Sequence, residues 1–179
     1  MKKSLLFSFL FFILTSFTTN TIKGINCING FCVGMNYTEV EKVLENYKTT
    51  TRPFYELGID SEEECLIVLE KNKEQFGLWF DSNPPKKLKG IILLDESIII
   101  DNSIHIGMTL SDYLLIYPRS KIELDMIQGE YEFISNHNGY MIEFQVVNGK
   151  TIGNYNGSGL PTSKFHSTER QIDRIVISK

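Results

Sequence analysis

The chain has 179 residues, with 22 Asp and Glu against 18 Lys and Arg and a formal charge of -4. A hydrophobic fraction of 42% and a charged fraction of 22% are those of a folded domain, and they exclude a disordered chain and a collagen-like or coiled-coil rod. Beyond Lys2-Lys3 at the start, the Lys and Arg residues are scattered apart from the short Lys86-Lys87-Leu88-Lys89 turn, so no nucleic-acid partner is expected.

Met1-Lys2-Lys3 is a short positive segment, and Leu5 to Phe17 is an uncharged, mostly apolar run of 13 residues. A spanning helix needs roughly 20 residues. Residues 1-22 therefore read as a secretory signal peptide, cut between Thr18 and Lys23, with an uncleaved anchor as the alternative. Cleavage leaves 16 basic against 22 acidic residues and no stable membrane span, in a periplasmic or secreted protein. A lipoprotein reading is weaker, because Gly24-Ile25-Asn26 is a poor lipobox before Cys27.

Cys27 and Cys32 flank Asn29-Gly30, a dipeptide made for a tight hairpin turn. In an oxidising compartment a Cys27 to Cys32 disulfide is expected. Cys65 reads as a buried thiol, with exchange for one partner of that disulfide as the alternative. Cys65 and three scattered histidines lack the spacing of a tetrahedral site, so neither a metal nor a cofactor is expected.

Two stretches share one pattern: Gly34-Met35-Asn36 with Glu39, and Gly107-Met108-Thr109 with Asp112. In each, Asn36 or Thr109 can cap a helix start, and the acid three places later stands at N3, near the positive helix end. The first helix carries Val40, Val43, Leu44 and Tyr47 on one stripe. The second, Tyr113 to Tyr117, is apolar all round, ends at Pro118 and is expected to be shorter and more buried. Strands are expected at 65-70, 75-81, 88-94 and 97-100, then at 121-126, 130-135, 140-147 and 171-178. The fold class is therefore α+β: two tandem repeats, 23-104 and 105-179, each a short helical segment packed on a four-stranded antiparallel sheet. A long Gly, Asn and Ser-rich loop from Asn148 to Ser167 interrupts the second.

The Gly-Met-Asn and Gly-Met-Thr helix starts recur with Phe76-Gly77-Leu78-Trp79-Phe80 and Lys89-Gly90-Ile91-Ile92-Leu93-Leu94. In the second half the matching stretches are Asn138-Gly139-Tyr140-Met141-Ile142-Glu143-Phe144 and Ile172-Asp173-Arg174-Ile175-Val176-Ile177. Together these resemble the beta-lactamase inhibitory protein fold, whose single-unit version is similar to small lipoproteins of outer-membrane assembly. The resemblance implies a concave sheet that grips an enzyme. No inhibitory loop matches residue by residue, and Gly58 to Glu64 is an acidic, solvated turn.

No Gly-x-Ser-x-Gly elbow, Gly-x-Gly-x-x-Gly, Walker loop or His-Glu-x-x-His helix is present, and an enzyme is not expected. His105, His137 and His166 fall at a strand end or in loops, without a visible partner. Gly153 to Gly159 lacks the Lys and helix of a phosphate loop. Strand alternation instead singles out a binding face. If the helices cover Phe76, Leu78 and Phe80, then Trp79 and Asp81 face the other way, as do Met141, Glu143 and Gln145. Tyr131, Glu132 and Arg174 extend this patch. The expected partner is another protein, an enzyme or toxin with a basic surface, held by an inhibitor or immunity protein. An envelope-assembly factor is the first alternative and a small secreted hydrolase the second. Core packing is the competing role for the single Trp.

Overall fold

The computed structural model describes residues 25-178 apart from 60, 102, 128, 137 and 156-160, so the expected signal peptide 1-22 and His137 lie outside the described residues. The first ordered unit is a hairpin of β1 (Cys27–Ile28) and β2 (Phe31–Cys32). Asn29 and Gly30 both take positive φ, 48° and 90°, which is the turn a two-residue hairpin requires. Cys27 and Cys32 face each other across it and are joined by a disulfide, while Cys65 is free and buried. Phe31, completely buried, plugs the hairpin into the core against Phe76 and Tyr47.

Helix α1 (Tyr37–Leu44) starts at the expected cap. The Asn36 side chain accepts the Glu39 N–H at 3.0 Å, and the Glu39 carboxylate accepts the Asn36 N–H at 2.8 Å. Helix α2 (Leu110–Ile116) is capped by Thr109, whose hydroxyl accepts the Asp112 N–H at 3.1 Å. As expected it is shorter than α1, seven residues against eight, and buries more of its side chains, though its apolar surface is not covered all round. Leu110 and Tyr113 are buried, but Leu115 is 81% exposed. The 3.6-residue period turns Leu115 away once Leu110 and Tyr113 face the sheet.

The strands are β3 (Lys48–Pro53), β4 (Glu64–Glu70), β5 (Lys73–Phe80), β6 (Leu88–Leu93), β7 (Glu123–Leu124), β8 (Tyr131–Ser135), β9 (Tyr140–Gln145) and β10 (Arg174–Ser178). They form one antiparallel eight-stranded sheet in the order β3-β4-β5-β6-β10-β9-β8-β7. Each half thus contributes one helix and four strands, and the halves meet where β10 pairs with β6. Two strand assignments change. Ser97 to Ile100 forms no strand, because the Asp95 carboxylate accepts the Ser97 N–H at 2.8 Å and bends the chain there. Its place as fourth strand is taken by β3, whose Thr49, Thr50 and Thr51 are exposed at the sheet edge and carry no apolar alternation to read.

The main core lies between the helices and one sheet face. Val40, Leu110 and Tyr113 meet Phe76, Leu78, Ile91, Ile142, Phe144, Ile175 and Ile177, each burial contributing about 1.5–3 kcal/mol for side chains of this size. Three buried or half-buried carboxylates tie loops to this frame. Glu132, fully buried, accepts the N–H groups of Ile152 and Gly153 and the Tyr155 hydroxyl. Asp101, at φ 47°, accepts from the Tyr117 and Tyr140 hydroxyls and the Asn138 amide. Burial raises the pKa of both tyrosines.

Asp95 is the third. Only 2% exposed, it accepts from Lys73 at 2.8 Å, Gln75 at 2.9 Å and the Ser97 N–H. The Lys73 bond, then the Ser97 N–H, hold its carboxyl well below the usual carboxylate range against the opposing effect of burial. A depressed folded pKa contributes stability that is complete above the unfolded value, about 3.9, and is lost as pH falls below it. Urea unfolding should therefore show Asp95→Asn less stable than wild type at about pH 7, with the difference shrinking toward about pH 2. A constant difference across that range would show that ionisation of Asp95 contributes nothing.

Candidate interaction site on the open sheet face

The face turned away from the helices carries a second, smaller apolar cluster of Phe54, Cys65, Ile67 and Ile92, with Leu57, Ile59, Trp79 and Leu94 half-buried against it. A 3-10 turn, Phe54–Leu57, folds over this cluster directly after β3. Pro53 ends the edge strand, and Gly58 closes the turn at φ 71°, a conformation other residues enter with strain. Arg52 anchors the turn from the side, pairing with Glu56 at 3.2 Å and with Glu74 at 2.8 Å. Burial pushes the Cys65 thiol up to about 12, which leaves it an unreactive packing group.

Trp79 belongs to this cluster. Its indole meets Phe54 edge-on, with ring centroids 6.3 Å apart, and lies over Gly90, its cross-strand partner. A Cβ at position 90 would stand 2.2 Å from the indole ring. Alternation therefore placed Trp79 on the expected face, but the 3-10 turn covers part of it. The turn has no periodic signature, because Phe54-Tyr55-Glu56-Leu57 has neither a helical stripe nor a strand period; Pro53 and Gly58 at its two ends are the signal that marks it.

On the second half of the same face, Arg174 joins the turn to the sheet. Its guanidinium donates to the Glu143 carboxylate across the β9-β10 ladder and to the Leu57 carbonyl, and it lies 4.4 Å from the Tyr131 ring centroid. Glu143 is only 6% exposed; burial raises its pKa, and Arg174 opposes that rise. Removing one member of such a pair strands a buried charge, at a cost of about 3–5 kcal/mol. Tyr131 also closes on Gly58, where a Cβ would meet its hydroxyl at 2.2 Å.

Between the turn and these strands opens a cleft of about 610 Å³. Tyr55, Leu57, Gly58, Tyr131 and Arg174 line it together with Leu93, Leu94, Ile106, Glu56, Glu130, Gln145 and Asp173. Tyr55 is 62% exposed, and Glu56, Glu130, Gln145 and Asp173 are exposed too. The guanidinium inside is already engaged; of the rim carboxylates Glu56 pairs with Arg52 and Asp173 lies 3.9 Å from Arg170, while Glu130 makes no ion pair among the described residues.

The expected patch is thus assembled in part. Tyr131, Gln145 and Arg174 border the cleft, Glu143 lies beneath Arg174, and Met141 is half-buried on the adjoining stretch of β9. Asp81 lies past the end of β5, beyond a register shift at Trp79/Phe80, and its N–H donates to the Lys87 carbonyl. Glu132 is a correction. It shares the helix-side face with Ile134 and holds the 152-155 loop, because it precedes Phe133 by one residue and alternation sends it to the other side. His105 lies outside the cleft, with its Nδ1 2.8 Å from the Ile106 carbonyl.

No protein family and no curated protein matches the chain. Among solved structures it is similar to the uncharacterized protein yfeY from Escherichia coli, at 11% identity and a TM-score of 0.47 over 88% of this chain and 97% of that one.

The single indole reports on this packing. Gly90→Ala should displace Trp79, move its emission to longer wavelength and cost about 1–3 kcal/mol in urea unfolding. An unchanged spectrum with unchanged stability would show that the indole does not rest on Gly90.

Proposed function

We propose that the protein is an exported, non-catalytic binding module of two tandem units, 23-104 and 105-179, that holds a basic protein across the open face of its sheet. Inhibition of an enzyme or neutralisation of a toxin is the activity this arrangement serves. The observation that carries the reading is the cleft on that face: the exposed Tyr55 and Tyr131 line it together with the unpaired carboxylate of Glu130 and those of Glu56 and Asp173, which Arg52 and Arg170 partly offset. An aromatic ring set among acidic groups suits a Lys or Arg side chain of a partner, which gains ring contact and charge attraction together. Further support comes from the Cys27 to Cys32 disulfide, which suits an oxidising compartment. The helix-then-four-strands order of each half supports the tandem units and the resemblance to the inhibitor fold. Trp79 serves here as the floor under the turn, and Tyr55 as the anchor.

The test is capture from the secreted and envelope fractions with the mature chain, in parallel with Tyr55→Ala and with Glu56→Gln/Glu130→Gln. Tyr55 is exposed and makes no core contact, so its truncation should leave the fold intact while costing about 2 kcal/mol of binding, roughly 30-fold in affinity. One stoichiometric basic partner, lost with Tyr55→Ala and weakened by salt, is the expected result. Equal recovery by wild type and both variants would overturn the assignment of the face, and recovery of outer-membrane assembly components alone would favour the envelope-assembly role.

A further inference from the structure

A second cleft, of about 760 Å³, lies on a different part of the molecule, where the C-terminal end of α2 meets the turn between β8 and β9. Three kinds of surface converge there. Ile116, Tyr117, Pro118 and Pro161 provide apolar, largely flat walls. Ser120, Ser135, Asn136 and Asn138 provide hydroxyl and amide groups, Arg119 and Lys121 provide two exposed cations, and Glu123 provides one carboxylate.

The polar groups are held in place from beneath. The Asn138 amide nitrogen donates to Asp101 at 2.7 Å and to the Tyr117 hydroxyl at 3.1 Å. The Asn136 amide nitrogen donates to the Tyr113 and Tyr140 hydroxyls, and its oxygen accepts the Asn138 N–H at 2.8 Å. Tyr117 and Tyr140 in turn converge on Asp101, which takes up a left-handed φ of 47° to receive them. One carboxylate thereby sets the rotamers of Tyr117 and Asn138, two side chains that line the cleft. Among the described residues the Asn138 amide oxygen and the Ser135 hydroxyl have no hydrogen-bond partner, and Arg119 and Lys121, both exposed, make no ion pair. Spare hydrogen-bonding capacity, preset side chains and two unpaired cations that outnumber the one lining carboxylate, Glu123, therefore face one cavity of ligand size.

We infer that this cleft binds an acidic saccharide, a pyranose chain carrying carboxylate groups. The C–H face of the sugar ring lies on Tyr117 and the prolines, its hydroxyls pair with Asn138 and Ser135, and its carboxylate meets Arg119 and Lys121. This site is separate from the open-face cleft and stands or falls independently of the protein-binding role.

Isothermal titration calorimetry of the mature protein in about 0.15 M NaCl, where long-range attraction between exposed charges is largely screened, tests it. The probes are trigalacturonate, neutral maltotriose and the non-sugar polyanion triglutamate. The expected result is heat of binding with trigalacturonate only, at least about tenfold weaker in Arg119→Ala/Lys121→Ala and unchanged in Tyr55→Ala. Both cations are exposed, so the double variant should fold, and its circular dichroism and urea midpoint would confirm that it does. In NMR spectra the Asn136 and Asn138 side-chain amide signals should shift on addition of trigalacturonate. No binding, equal binding of maltotriose or triglutamate, or undiminished binding by the double variant would overturn the inference.

Discussion

The rest of the architecture depends on the pairing of β10 with β6. Ile175, Val176 and Ile177 lie opposite Leu93, Ile92 and Ile91, more than eighty residues away in sequence, and all six are buried. The last strand of the chain thus closes onto the last strand of the first half, and two small sheets become one. A core built on so distant a contact pays a large loop-closure entropy before it gains burial. The apolar run Ile175-Val176-Ile177 at the centre of β10 offsets it by packing both faces at once.

That junction also brings the interaction site together. Arg174 begins β10, so the ladder that fuses the halves delivers its guanidinium to Glu143, to Tyr131 and to the carbonyl of Leu57 on the first half. The cleft on the open face exists only because residues from both halves border it. Glu132 and Glu143 show how strictly the sheet divides its two sides. Both are buried carboxylates on neighbouring strands, yet one holds the 152-155 loop on the helix side and the other holds Arg174 on the open side.

Much of this was legible in the residues. The Asn36 and Thr109 caps, the Asn29-Gly30 turn, the Cys27 to Cys32 pair and most of the apolar strands are governed by contacts within a few residues, so local chemistry suffices to place them. The face of Trp79, Met141 and Glu143 was legible too, since period-two alternation follows from backbone geometry. Elements without a local period were not. β3 is a run of threonines that becomes a strand only because β4 offers it a free edge, and Phe54 to Leu57 becomes a lid only because Trp79 and Ile67 lie beneath it.

By itself the sequence determined the short-range features: two capped helices, a disulfide-closed hairpin, alternating strands and a mixed α+β composition. Only the tertiary structure decided how the halves join, that Glu132 turns inward, that Leu115 faces solvent, and that Tyr55 rather than Trp79 stands at the surface of the cleft. The physical reason is range. Caps, turns and alternation are set by neighbours in the chain, whereas burial and pairing depend on which distant strand supplies the other half of each contact.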